Sequence, residues 1–84
     1  MITSMHNPKI NLKLTGKNIA TLRKQKGVTV KQLQTIFNFN HETAIYKWQQ
    51  GKCLPSVDNL VVLADVLGVS IEDILVIERS NGNG

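Results

Sequence analysis

Hydrophobic and polar positions change period several times along the chain, and each change predicts an element. Over the first fourteen residues no helical period is present. Ile10, Leu12 and Leu14 alternate with Asn11 and Lys13, the two-residue period of a short strand. A lone strand is marginal in water, so this segment must pair with another strand, lie on the helices, or remain a free or frayed arm. From about Gly16 to Lys26 the spacing becomes helical, with Ile19, Ala20, Leu22 and the stem of Arg23 on one face. Thr15 is placed to cap the start, and Gly27 closes the end after Arg23, Lys24 and Lys26, whose charge suits a helix C-terminus. A second helix follows Thr29, where Gln32 completes a capping box. Leu33, Ile36 and Phe37 form its apolar stripe, while Lys31 and Gln34 point outward.

Asn38-Phe39-Asn40 breaks this pattern. Asn tolerates left-handed backbone, and Phe39 is suited to plug the core beneath a turn. Asn40 or His41 then caps a third helix over about residues 41–50, ended by Gly51. Ile45 and Trp48, three apart, face the core, and Ala44 is a small residue where two helices can approach. Glu42, Thr43, Tyr46, Lys47 and Gln50 are left outside. Pro55 prevents continuation. Ser56 caps a fourth helix, Val57 to Leu67, with Leu60, Val61, Leu63, Ala64 and Leu67 inward and Gly68 as its stop. Val57, Val62 and Val66 widen its apolar surface, the pattern of a central helix. Ser70 and Asp73 form a second capping arrangement for a fifth helix, about residues 71–78, carrying Ile71, Ile74, Leu75 and Ile77. The expected fold is all-α, a compact five-helix bundle. Residues 1–14 are its arm or short strand, 15–78 the domain, and 79–84 a polar, Gly-rich tail expected to be disordered.

Eighty-four residues confine this bundle to one modest core. Cys53 is the sole cysteine, which rules out an internal disulfide and a multi-cysteine metal site. His6 and His41 show no ligand spacing, and there is no paired-carboxylate cleft, Ser/His/Asp set or phosphate loop. No metal, no cofactor and no enzymatic activity are therefore expected. No apolar run approaches the roughly 18 residues of a membrane span. The N-terminus lacks an apolar signal core, so a cytoplasmic location without membrane partners is expected.

Charge adds a direction to the bundle. Residues 1–56 hold nine Lys or Arg against one acid, Glu42, giving +8. Residues 57–84 hold Arg79 against Asp58, Asp65, Glu72, Asp73 and Glu78, giving −4 and a net of +4 for the chain. Such a split is either an uneven solvated surface or one face for a polyanion and another that repels it. The short-turn helix pair lies in the basic half. A helix that rests on a core by one face and offers the other suits the major groove of DNA.

The run LRKQKGVTVKQLQ, followed by AIYKWQQGKCLPSVDNLVVLADVLGVSIEDIL, resembles the Cro/cI-type, or XRE, helix-turn-helix family from about Ile19 to Leu75. The resemblance implies a lambda-repressor-like DNA-binding domain, here with an extended N-terminal arm. In that fold the second and third helices form the DNA-binding pair, and members often bind two-fold operators as dimers. It implies a sequence-specific transcriptional regulator, a repressor that inserts the third helix into the major groove. The partners are then double-stranded DNA and, at least on DNA, a second copy of the chain. Ile45 and Trp48 match core positions of the family, whereas Glu42, Thr43, Tyr46 and Lys47 match positions that face DNA. Glu42, Thr43 and Tyr46 are the candidates for base contacts, since Thr and Glu side chains can read base edges. Lys31, Lys47 and Lys52, with Asn40, are the candidates for phosphate. Two departures stand out. Val30 occupies a place where the family commonly has a DNA-contacting Gln, leaving only apolar contact there. The NFNH turn is one residue longer than the usual form, which can shift the third helix. The rival reading is a protein-interaction or antitoxin-type module that keeps the fold without operator binding.

Overall fold

Helix boundaries in this protein are set by side chains that satisfy otherwise orphaned backbone groups. The computed structural model describes residues 7–79 and contains five helices and one two-stranded sheet. In chain order these are β1 (Lys9–Ile10), α1 (Leu12–Lys26), α2 (Val30–Phe37), α3 (Thr43–Gln49), α4 (Val57–Leu67), α5 (Ile71–Ile74) and β2 (Ile77–Glu78). Thr29 caps α2 and Ser70 caps α5. In both, the cap hydroxyl accepts from the N3 amide while the N3 side chain, Gln32 or Asp73, accepts from the cap amide. Ser56 caps α4 by accepting from the Asn59 N–H at 3.2 Å. The Ser70 bonds hold the Asp73 carboxyl below the usual carboxylate range.

The first helix starts earlier than its apolar spacing indicates. Asn11, not Thr15, is its cap, its Oδ1 accepting from the Leu14 N–H at 2.8 Å. Thr15 is fully buried one turn into α1, and its hydroxyl accepts from the Val76 N–H at 2.9 Å. Leu12 and Leu14 therefore belong to the first helical turn and stay exposed. Three alternating apolar residues fit a strand or a helix start equally well, and the cap decides. Only Lys9–Ile10 is strand, paired antiparallel with Glu78 and Ile77. That pairing also shortens α5. Leu75 turns to extended backbone, and Asn18 Nδ2 on α1 donates to the Asp73 and Ile74 carbonyls at 2.7 and 3.0 Å, satisfying the helix end. The expected tail falls almost wholly outside the described residues, as do the first six residues of the arm.

The core is built from Ile19, Val30, Leu33, Ile45, Trp48, Leu60, Leu63, Ala64, Leu67 and Ile74. α1 is the hub, packing on α3, α4 and α5. The expectation of α4 as central helix fails on its valines, since Val57 is 73% exposed and Val61 54%. A helix buries only the stripe that faces its neighbours, and Leu60, Leu63, Ala64 and Leu67 already fill it. Likewise Ile36, expected in the stripe of α2, is 47% exposed, and Val30 is buried in its place.

α1 and α3 approach very closely. A Cβ on Gly16 would meet the Trp48 carbonyl oxygen, and would lie 2.6 Å from that of Gln49. Gly51 (φ +75°) ends α3 in the left-handed region, where the Gly51 and Lys52 amides donate to the Trp48 and Lys47 carbonyls at 3.1 and 2.9 Å.

Candidate nucleic-acid interface

α3 is two turns long and divided cleanly between its faces. Ile45 is fully buried and Trp48 nearly so, anchoring one side, with Ala44 partly buried beside them. Thr43, Tyr46, Lys47 and Gln50, at spacings of three and four, form the solvent side. Tyr46 remains 44% exposed. Arg23 braces this helix from α1: its Nε donates to Gln49 Oε1 at 2.8 Å, and its Nη1 to the Val28 carbonyl at 2.9 Å, just ahead of the α2 cap. One guanidinium thus ties the end of α3 to the start of α2.

The α2–α3 turn spans residues 38–42 and is filled by aromatic rings. Phe37 and Phe39 stack with centroids 5.2 Å apart, and Trp48 meets both edge-on at 5.4 and 5.8 Å. Such contacts each add roughly 0.5–1.5 kcal/mol beyond area burial. Asn38 adopts the left-handed conformation (φ +58°). Phe39 therefore plugs the core beneath the turn, as its position in the pattern indicates. Neither Asn40 nor His41 caps α3, whose first helical residue is Thr43. Glu42 is the N-cap, and it makes no side-chain cap bond.

Lys31, Gln34, Asn40, His41, Glu42, Thr43 and Tyr46 line one shallow depression between α2 and α3. The fold thus brings together five residues singled out from the sequence: Lys31, Asn40, Glu42, Thr43 and Tyr46. Lys47 shares the outer face of α3, and Lys52 lies exposed just beyond Gly51. Two further residues of the depression, His41 and Gln34, were not singled out. His41 carries a signal, its place in the turn beside Asn40. Gln34 was expected to point outward, and the signal for its actual role lies in the turn five residues on. Its Nε2 donates to the Phe39 carbonyl at 3.1 Å. Val30, by contrast, is only 8% exposed, so apolar contact with a partner from that position is closed off.

A helix-turn-helix family model matches residues 19–74, from the core residue Ile19 to the end of α5. The chain belongs to the Cro/cI-type, or XRE, family of helix-turn-helix DNA-binding regulators. One relative is an uncharacterized HTH-type transcriptional regulator, y4dJ, of Sinorhizobium fredii (strain NBRC 101917 / NGR234). It is 36% identical over 58 residues, 69% of this chain and 74% of the relative. Among solved structures, the fold matches the DNA-binding domain of BldD with a TM-score of 0.65 and 21% identity, covering 79% of this chain and 94% of that one. A second structure, the S. venezulae BldD DNA-binding domain, matches with the same TM-score and identity, covering 97% of its own length. At this identity the likeness speaks for the fold alone.

Proposed function

We propose that this XRE-family chain is a sequence-specific DNA-binding transcriptional regulator, a repressor that acts by laying α3 in the major groove of an operator. The observation that carries the proposal is the division of α3. Its inner face is fixed by Ile45 and Trp48, and its outer face offers Thr43, Tyr46, Lys47 and Gln50, whose side chains make no hydrogen bond among the described residues. Thr43, Tyr46 and Glu42 take base edges, Thr by hydrogen bond or thymine-methyl contact and Glu by accepting from cytosine N4. Lys31, Lys47 and Lys52 neutralise phosphates, and Asn40, released from capping, adds a polar phosphate contact.

A domain of this size reads few base pairs, so the protein acts as a homodimer on two half-sites about 34 Å apart. It works in the cytoplasm. Titration of labelled genomic fragments at two salt concentrations tests the proposal. Preferential retention of particular fragments at moderate salt is expected, and retention without preference, or none, rejects it. The exposed valines of α4 favour one second reading, a protein-interaction or antitoxin-type module, and the same titration separates the two.

A further inference from the structure

Gln34 is the residue of the interface whose amide is turned inward. Its Nε2 donates to the Phe39 carbonyl at 3.1 Å, while its Oε1 is closed off from solvent with no hydrogen-bond partner among the described residues. A buried orphan acceptor is unfavourable, and an apolar side chain of equal length would avoid it. Reversing the amide would set oxygen against the Phe39 carbonyl oxygen, so the donor role fixes its orientation. That donor grips a residue already held from the other side, because the Phe39 N–H donates to the Gln34 backbone carbonyl at 3.0 Å. Both peptide groups of Phe39 are thus bonded to one residue of α2, at the start of the turn that leads to α3. The Phe39 ring, seated against Phe37 and Trp48, ties that point to the core anchor of α3.

We infer that Gln34 is a positioning residue for sequence recognition. By holding the Phe39 carbonyl it fixes the angle and register at which α3 presents Thr43 and Tyr46, and so decides which base pairs are read. The inference rests on the DNA-reading function proposed above. It explains why a polar side chain with half of its bonding capacity unused stands beneath the interface.

The test uses the full chain and a duplex selected from a random pool, with a scrambled duplex as reference. The ratio of the two dissociation constants is measured for the unaltered protein, Gln34→Met and Gln34→Glu. Gln34→Met keeps the length and loses the donor. It is expected to keep its helical circular dichroism and its affinity for the scrambled duplex, with the ratio falling by about tenfold, the scale of one base contact. Gln34→Glu should behave like Gln34→Met near about pH 7.5, where a carboxylate has nothing to donate. Burial and the facing carbonyl favour the neutral acid and raise its pKa above the ordinary value of about 4.3. The ratio should therefore recover toward about pH 5 as the carboxylic acid donates to Phe39 again. Lys31, His41, Glu42 and Tyr46 face the same depression in every variant, so each ratio is taken against the unaltered protein at the same pH. A role in stability alone lowers the melting temperature of both variants and leaves the ratio intact, which overturns the inference. Should Gln34→Met not fold, the Gln34→Glu series decides, and a ratio without pH-dependent recovery overturns it too. An unaltered protein with no preference between duplexes removes the regulator reading itself, and the inference with it.

Discussion

Tyr46 and Lys47 are neighbours on the exposed face of α3, yet they make different demands on a duplex. A Lys ammonium is a point charge that neutralises phosphate whatever the sequence. Lys47→Ala is therefore expected to weaken binding to all duplexes alike and to reduce the slope of log affinity against log salt by about one, checked by titration at several salt concentrations. Tyr46→Ala and Thr43→Ala should instead cost about 1–3 kcal/mol on the preferred duplex and little on others, relaxing the readout at one position in a selection experiment. Gly16 gives a prediction of the opposite kind. Its methyl replacement must push against backbone carbonyls of Trp48 and Gln49, which cannot rotate away as a side chain would. Gly16→Ala is expected to destabilise the fold by about 1–3 kcal/mol in denaturant unfolding, although alanine is the better helix former. The face of α3 was legible because Ile45 and Trp48 set its register by themselves. Gly16 and Gln34 were not, since the first reads as an ordinary helical glycine and the second as an outward polar residue until their distant partners are known.

The capping boxes belong to the scale of elements. Thr29 with Gln32, and Ser70 with Asp73, are complete within four residues, so the sequence shows them in full. The ends of α1 and α5 are different, because Thr15 is drawn inward by Val76 and Lys9–Ile10 takes residues 77–78 into a ladder. Such pairings join opposite ends of the chain and leave no local periodicity to read. Loss of the Ser70 hydroxyl removes the lesser of the two bonds that keep the Asp73 carboxyl acidic, while the Ser70 amide, the larger cause, still donates to it at 3.0 Å. Ser70→Ala is expected to lower stability by about 1 kcal/mol and to return the Asp73 titration toward the ordinary carboxylate value, as followed by NMR. The sign follows from the direction of the shift. Asp73 binds its proton less readily folded than unfolded, so its contribution is present above the unfolded value of 3.8 and is lost as pH falls through the lower folded one. In Ser70→Ala that extra acid sensitivity should shrink, with the part due to the Ser70 amide remaining.

At the scale of the whole molecule, charge and symmetry take over. If Lys31, Lys47 and Lys52 neutralise phosphates as proposed, the salt slope is steeper than about −2.5 for one half-site and about twice that for a two-fold complex. Footprinting is expected to show two protected half-sites about 34 Å apart, and sedimentation a dimer on the duplex. The acidic residues of α4 and α5 take no part in this attraction, so their neutralisation should leave the half-site sequence unchanged. The β1–β2 pair carries a consequence of another sort. Lys9 faces Glu78 and Ile10 faces Ile77, so the chain enters and leaves the domain from the same end of this ladder. A pull applied through residues 7 and 79 would load its two rungs in succession, as a zipper is loaded, and not together in shear. The ladder should part first, at low force, followed by the Asn11–Glu78 side-chain bond that backs it. The helices would give way afterwards as one event. In an optical trap the domain is therefore expected to lengthen in a small early step before its main rupture, which makes the joined ends a weak mechanical fuse ahead of a more resistant body.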